Sequence, residues 1–415
     1  MPMSKQKNKG LVPELRFPEF REKGGWSFLN GNNVFDQISN KNHNSDLPIL
    51  AITQEHGAIP REEIDYQVSV TDKSIESYKV VEPGDFIISL RSFQGGIEYS
   101  TYKGLCSPAY VILRKKIDVI NHFFKYFFKT SIFIQSMNRN IEGIRDGKMV
   151  SYKQFSALLL PNPLPDEQQK IAACLTSVDE LITAQTQKLD AFKAHKKGLM
   201  QQLFPAEGET VPKRRFPVFR DKGEWDIKPI SKIGEITTGN TPSTSDKENY
   251  GGDKMFASPA DISDHRFVSK TKTTLSEKGF SKTRQIPAHS ILFVCIGSTI
   301  GKIAQNMYDC ATNQQINSVI PFGKYVNAFV YYALDLNSSK IAELAGKQAV
   351  PIINKTLFST VLMSMPSKKE QQKIADCLTS IDELITAQSQ KIDALKAHKK
   401  GLMQQLFPST DEVVA

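Results

Sequence analysis

The sequence predicts an α/β (α+β) fold. Two mixed α/β domains are separated by two long antiparallel helices, in a pseudo-twofold, circular organisation. Three observations predict it. The stretch Glu167 to Pro205 returns almost letter for letter at Glu370 to Pro408. A shorter aromatic stretch, Arg16 to Trp26, returns at Arg215 to Trp225. Each pair of ends brackets a middle of nearly equal length but different sequence. A long internal repeat sets the architecture before any other feature.

The long repeat reads as a helix. Its copies differ only at Ala173/Asp376, Val178/Ile381, Thr186/Ser389, Leu189/Ile392 and Phe192/Leu395. Ile171, Leu175, Val178, Ile182, Gln185, Leu189, Phe192, Leu199 and Leu203 step by four and three, which puts them in a narrow seam. No proline interrupts the run, and Gly198 is its one weak point. The helix would be on the order of 55 Å long at roughly 1.5 Å per residue. A rod of that length needs a partner to cover its seam. The second copy supplies one through Ile374, Leu378, Ile381, Ile385, Gln388, Ile392, Leu402 and Leu406. Leu175, Ile182, Leu378 and Ile385 are expected to be largely buried. Gln185 and Gln388 either meet mid-seam, where a polar pair fixes register at a cost in stability, or face solvent.

The lead-ins start 199 residues apart (16 to 215) and the helices 203 apart (167 to 370). The same frame therefore holds two middles. The first shows strand-like runs at Phe86 to Leu90 and Tyr110 to Leu113, then an apolar helix near Val119 to Met137. The second shows Ile291 to Ile296, Ile316 to Ile320, and a helix near Asn327 to Leu344. The order matches, so the same mixed fold is expected twice. Val150 to Phe155 echoes Ile352 to Leu357. Residues 1–11 read as a basic tail, 12–163 as the first domain and 164–205 as the first helix. A linker at 206–215, a second domain at 216–365, a second helix at 366–408 and a tail at 409–415 follow. Asn162 to Pro165 reads as the turn before the first helix, with Asp166 or Ser367 near the N-caps. With antiparallel helices the chain closes as domain, helix, domain, helix.

Composition bounds the function. The chain of 415 residues carries a net charge of +9 with a pI of about 9.1, which suits a polyanionic partner without demanding one. Five cysteines (106, 174, 295, 310, 377) lie singly and read as reduced thiols in the cytoplasm. No secretory leader or membrane-spanning segment is expected. The His residues lie at no metal-ligand spacing. Gly297 to Lys302 resembles a phosphate loop. It is one residue short between its glycines, though, and Ile303 stands where Ser or Thr would hold magnesium. No Ser-His-Asp arrangement or nuclease carboxylate cluster stands out. The sequence supports neither a catalytic residue nor a metal site.

The middles are instead rich in side chains suited to DNA. Arg91, Ser92 and Gln94 follow one strand. Thr241, Ser243, Thr244, Lys247 and Tyr250 occupy a polar loop. Ser298, Thr299 and Lys302 offer a turn and a charge to a phosphate. Asn313, Gln314 and Gln315 carry amides that suit adenine edges. Arg145, Lys148, Lys153, Lys347, Gln348 and Lys355 flank the return to the helices.

These residues together resemble the specificity subunit of type I restriction–modification systems. The carriers are the lead-ins ending in Trp26 and Trp225, Thr237 to Ser243, Gly297 to Lys302, Ala311 to Asn317 and the Glu-Gln-Gln-Lys-Ile openings of both helices. The first middle departs from the pattern. It has Arg91 to Gly96 in place of the Gly-Ser-Thr turn and Ser107 to Tyr110 in place of Thr312 to Gln315. The resemblance implies two target recognition domains, each reading half of a bipartite, asymmetric sequence in double-stranded DNA. It implies helices that hold the domains apart and bind two methyltransferase (modification) subunits, with restriction/translocase subunits joining for cleavage. S-adenosylmethionine, ATP and magnesium would then sit on those partners and none on this chain. A rod of roughly 55 Å would span up to about one and a half turns of B-DNA. Two other readings stay open: a coiled-coil adaptor that binds no DNA, and the recognition part of a fused adenine methyltransferase.

Overall fold

A computed structural model describes residues 11–44, 46–64, 75–139, 150–346 and 350–408. Both long repeats are continuous helices, Pro165–Leu203 and Lys368–Leu406, of 39 residues each. The chain divides into two compact units, and the divisions fall inside these helices. The first unit is 1–184 with 392–415, and the second is 185–391. Each unit therefore owns one domain and a part of both helices.

In the first unit, β1 (Ser27–Asn30) pairs antiparallel with β10 (Leu159–Asn162) beside the start of the first long helix. The main sheet has the order β2 (Phe35–Ile38), β9 (Val111–Lys115), β6 (Phe86–Ile88), β7 (Glu98–Tyr99), all antiparallel. β3 (Leu50–Thr53) and β4 (Gly57–Pro60) form a hairpin, and β5 (Lys79–Val81) pairs with β8 (Gly104–Cys106). In the second unit, β11 (Asp226–Pro229) pairs with β20 (Leu362–Met365). Its main sheet has the order β12 (Gly234–Thr238), β19 (Ile316–Pro321), β16 (Ile291–Val294), β17 (Ile303–Asn306), β14 (Phe267–Val268). A second sheet has the order β15 (Thr273–Leu275), β13 (Tyr250–Ala257), β18 (Cys310–Thr312). The first four strands of the two main sheets correspond one to one, so the units share a fold where their sequences do not.

The strand-like runs are apolar without alternation because both faces of these sheets are covered. Phe86 and Ile88 face the aromatic core with Val111 and Leu113, while Ile87 and Ile112 face a smaller cluster with Leu50. In the second unit Ile291 and Phe293 face one core, Leu292 and Val294 the other. The helix expected near Val119 to Met137 is two, α1 (Asn121–Phe127) and α2 (Ser131–Arg139). The break is chemical. The Thr130 hydroxyl accepts the Phe133 amide, which caps a new helix. The second-unit counterpart, α4 (Asn327–Glu343), is unbroken.

The short helices α3 (Tyr152–Ser156) and α5 (Lys355–Thr360) start at caps Ser151 and Asn354. This corrects the sequence echo by one residue. Val150 matches Ile353, and Phe155 matches Phe358, with all four buried. The second long helix is capped by Ser367, whose hydroxyl accepts the Glu370 amide. In the first, Pro165 is already helical and Asp166 lies in the first turn.

Within each unit the helix segments run antiparallel. In the first, Lys399 meets Asp179 at 2.6 Å while Leu406 packs in the core beside Leu175. In the second, Lys196 meets Asp382 at 2.7 Å and Gln388 meets Gln185. The Gln388 amide donates to both the carbonyl and the side-chain oxygen of Gln185, each at 2.9 Å, and Gln388 is buried. The mid-seam reading of this pair therefore holds. Leu175 and Leu378 are buried as expected, and the seam residues Ile171, Ile374, Ile381 and Ile392 are buried with them. Ile182 and Ile385, expected to be largely buried, are only half-buried, as are Val178 and Leu189. Ile171, Leu175, Ile374 and Leu378 belong to the domain cores, whereas these four, like the buried Ile381 and Ile392, do not and depend on the seam for cover.

The circular closure is visible inside the first unit. The Leu15 amide donates to the Gln405 carbonyl, and Trp26 packs edge-on to Phe407. The second unit repeats it with Arg214 on Gln202 and Trp225 on Phe204. The linker 206–215 is exposed for most of its length but buries Pro212.

Candidate nucleic-acid interface

The repeated residues build the support. Arg16 donates from Nε and Nη2 to both carboxylate oxygens of Glu167 at 2.7 Å, and Arg215 does the same to Glu370. Both pairs are nearly solvent-free, and the carboxylate bonds hold each guanidinium further above its ordinary value. The next residue of each helix also reaches across. The Gln168 side-chain oxygen accepts the Ile120 amide and that of Gln371 the Val326 amide, both at 3.0 Å. The Glu-Gln openings thus clamp the lead-in and the apolar helix to the long helix. About three turns on, Tyr126 donates to Asp179 at 2.9 Å and Tyr332 to Asp382 at 2.6 Å. Lys399 and Lys196 cover those two rings. Burial pushes both phenols above their ordinary range.

The loops at one end of each main sheet carry the polar candidates. In the second unit, the segments after β12 and β16 and the β18–β19 turn come together where Thr238 pairs with Asn317. The Thr241 hydroxyl donates to the Gln314 side chain at 2.8 Å. Asn313 donates to Gln315 at 2.9 Å, and the Gln315 amide is backed by the Ile296 carbonyl. Gly297 holds the turn open at φ +96°, a conformation that favours glycine. Its N–H donates to Pro351, and the Ile353 N–H donates to Cys295, so the chain entering α5 joins the same end. Ser298, Thr241, Gln314, Lys302 and Lys355 are exposed there, and Thr299 is half-buried. Thr244 and Lys247 are exposed on the loop that leads into β13.

Some candidates are committed elsewhere. Ser92 is buried and its hydroxyl accepts the Ser89 amide, so it shapes the turn. The Tyr250 hydroxyl donates to the Pro242 carbonyl at 2.7 Å, and Ser243 shares a hydroxyl bond with Ser245. Asn313 and Gln315 spend much of their capacity on each other. Arg145, Lys148, Lys347 and Gln348 lie outside the described residues. One contributor escaped the sequence reading. Exposed Arg284 donates to the Thr238 carbonyl at 2.7 Å, and its backbone N–H donates to Asn240. Nothing in its local sequence marks it.

In the first unit, the turn after β6 and the β8–β9 turn occupy the matching end. Arg91 and Gln94 are exposed on the first of these turns, and Lys153 is exposed on α3. Arg91 and Tyr110 line a cleft of about 700 Å³ with Gln54, His56 and Arg61. The buried thiols of Cys106, Cys295 and Cys310 are pushed up to about 12 by desolvation, which removes thiolate chemistry at neutral pH. Among the described residues, no three His, Cys, Asp or Glu side chains gather as metal ligands, and no helix is long and apolar enough to cross a membrane.

Comparison with known proteins bears on this geometry. Residues 17–193 and 222–397 each match the type I restriction modification DNA specificity domain. The chain is 30% identical over 190 residues to the MjaIX specificity subunit of Methanocaldococcus jannaschii, covering 44% of each chain. It is 36% identical over 150 residues to the HindI specificity subunit of Haemophilus influenzae, covering 35% of this chain and 32% of that one. The matches thus span less than half the length of either relative. Against the MjaVIII specificity subunit, identity is 21%, over 82% of this chain and 81% of that one. In fold, the chain is similar to the S subunit of a type I system from M. genitalium, with a TM-score of 0.57 at 14% identity, covering 96% and 99% of the two chains. A chain from a second type I system superposes with the same TM-score of 0.57 at 16% identity, covering 92% and 98%. With two copies of the domain spanning most of its length, on the frame that the repeated residues build, this chain belongs to the type I restriction–modification DNA specificity family.

Proposed function

We propose that this chain is the non-catalytic DNA-reading subunit of a type I restriction–modification complex. Each unit reads one half of a bipartite, asymmetric sequence. The long helices set the spacing and hold two methyltransferase subunits, and restriction subunits join for cleavage. S-adenosylmethionine, ATP and magnesium belong to those partners. The chain acts in the cytoplasm, where its five free cysteines stay reduced.

One observation carries this reading. The same end of the same sheet, in both units, presents exposed polar loops whose side chains differ, on a frame whose residues do not. Unlike side chains on like frames suit two different half-sites. Like frames suit two copies of one partner. The polar loops offer amides and hydroxyls for base edges and lysines and arginines for phosphates, the division of labour that sequence reading requires.

Adenine methylation mapped by single-molecule sequencing, in cells with and without this gene, tests the reading. The expected result is one bipartite motif, methylated only when the gene is present. Purified chain should also bind random duplex in a salt-dependent way. An unchanged methylation map together with no duplex binding would overturn the proposal and favour a bare adaptor.

A further inference from the structure

The two units differ sharply at one place where their frame is otherwise repeated. In the second unit a cavity of about 630 Å³ opens at the start of the Lys368–Leu406 helix. Lys222, Lys228, Lys324, Lys368 and Lys369 line it. Lys228 pairs with Asp226 at 2.8 Å. The other four form no ion pair among the described residues. The β1/β11 pairing and the Gln168/Gln371 clamps fix the matching positions of the first unit as Lys23, Leu29, Asp118, Pro165 and Asp166. Five lysines thus stand where the first unit has one lysine and two aspartates; Glu224 and Asp226 also line the cavity where the first unit has Gly25 and Ser27, which leaves these positions net positive in the second unit and net negative in the first.

Two further features point to a ligand with negative charge. A helix start leaves its first amides without intrahelical acceptors and carries partial positive charge. Here the Lys368 and Lys369 amides face no acceptor within the helix, whereas Pro165 of the first unit has no N–H to offer. Tyr325 also lines the cavity, is 6% exposed, and has a hydroxyl with no hydrogen-bond partner. An unpaired buried hydroxyl is costly, and the first unit has Val119 at this position. Charge, donors and an unsatisfied hydroxyl all converge on the second unit alone.

The cavity adjoins the Pro321 end of β19, because Lys324 and Tyr325 follow that strand directly. The candidate DNA loops lie at the Ile316 end, about 17 Å away over five residue steps of roughly 3.4 Å each. The cavity thus lies apart from the loops that would meet base edges, and the duplex arm of the test below separates a phosphate occupant from a carboxylate one. We propose that this cavity takes a carboxylate-bearing segment of a partner protein, and that it makes the second unit a docking site the first does not duplicate. This rests on the reading that the chain assembles with protein partners, but it goes beyond that reading by breaking the equivalence of the two frames.

The test uses the full chain, an acetylated hexaglutamate peptide and a random-sequence duplex, with affinities read by calorimetry at two salt concentrations. The wild-type chain should bind the peptide saturably with one site per chain. Lys324→Ala with Lys369→Ala, both exposed, should weaken it at least tenfold and leave duplex affinity unchanged. Tyr325→Phe keeps every charge and should still weaken the peptide several-fold, which diffuse attraction would not do. Peptide binding at two equal sites, or no saturable binding, would overturn the proposal. So would a Tyr325→Phe chain that matches wild type, or a lysine variant that loses duplex affinity instead. Duplex binding by the wild type in the same experiment reports separately on the DNA-reading function.

Discussion

A buried guanidinium–carboxylate pair is strong only while both partners are present. Arg16 and Glu167 satisfy each other bidentately with almost no water, so removing one leaves an uncompensated charge. Arg16→Ala should cost about 3–5 kcal/mol, read as a fall in the urea midpoint, with Arg215→Ala close behind. Arg16→Lys should recover only part, because an ammonium cannot reproduce the fork. An unshifted midpoint in the alanine variants would show that the clamp contributes nothing net. At the interface, the residues divide by how free they are. Gln314 is exposed and gives one contact to Thr241, whereas Asn313 is tied to Gln315. Gln314→Ala should therefore relax base choice at one position with little change in salt dependence. Lys302→Ala should lower affinity evenly and flatten the salt slope by about one unit. Methylation maps and binding isotherms at several salt concentrations separate the two outcomes.

The long helices are not uniform rods. Leu378 is fully buried in a domain core, while Ile182 is half-buried against less cover. Leu378→Ala should cost about 2–5 kcal/mol, and Ile182→Ala clearly less; equal losses would mean that the seam itself, and not the domain core, holds the helices. Gln388→Leu should raise stability but loosen register, visible as lost uniqueness in crosslinks placed along the helices. The second-unit helix α4 adds a pH effect. Burial pushes the Asp335 carboxyl above its ordinary value, with Lys196 opposing and Asp382 adding to the shift. The folded state then binds the proton more tightly than the unfolded chain. Stability is lost as pH rises from the ordinary aspartate value through the raised one, and is level above it. Asp335→Asn removes that loss. Its urea midpoint should match wild type at pH about 3 and exceed it at pH about 7, on either side of the ordinary aspartate value. A gap that is the same at both values would assign the effect to packing.

For the whole molecule, the division inside the helices has a consequence. Each domain carries its own share of both helices, so a domain is replaceable if the frame residues are kept. Exchanging 226–365 for the matching segment of a relative should change one half of the methylated sequence and leave the other half and the spacer alone. A swap that alters both halves would show that the units do not read independently. A four-residue helical insertion after Ala184, where the first unit ends, should instead change the spacer or abolish function, since it adds about 6 Å at 1.5 Å per residue. Lengthening 206–215 should do little, provided that the Arg214 and Trp225 amides keep their acceptors Gln202 and Thr210.

The repeat by itself determined the frame. Seam spacing predicted both long helices to within two residues, and apolar runs placed two neighbouring strands of each main sheet, β6 and β9 in the first and β16 and β19 in the second. Nearly equal offsets between the repeats told that two unlike middles share one fold. These features are legible because periodic burial is written locally, residue by residue. Tertiary structure alone decided the polar partnerships. Arg16 and Glu167 are both repeated residues, so their kinship was visible, yet they lie 151 positions apart and only the fold joins them. The same holds for Asn313 with Gln315, for Ser92 turned inward and for Arg284 brought beside Thr238. A polar side chain does not announce whether it will be spent inside the protein or offered outside. That depends on which strand lies next to it, and strand order and register are set by the packing of the whole sheet.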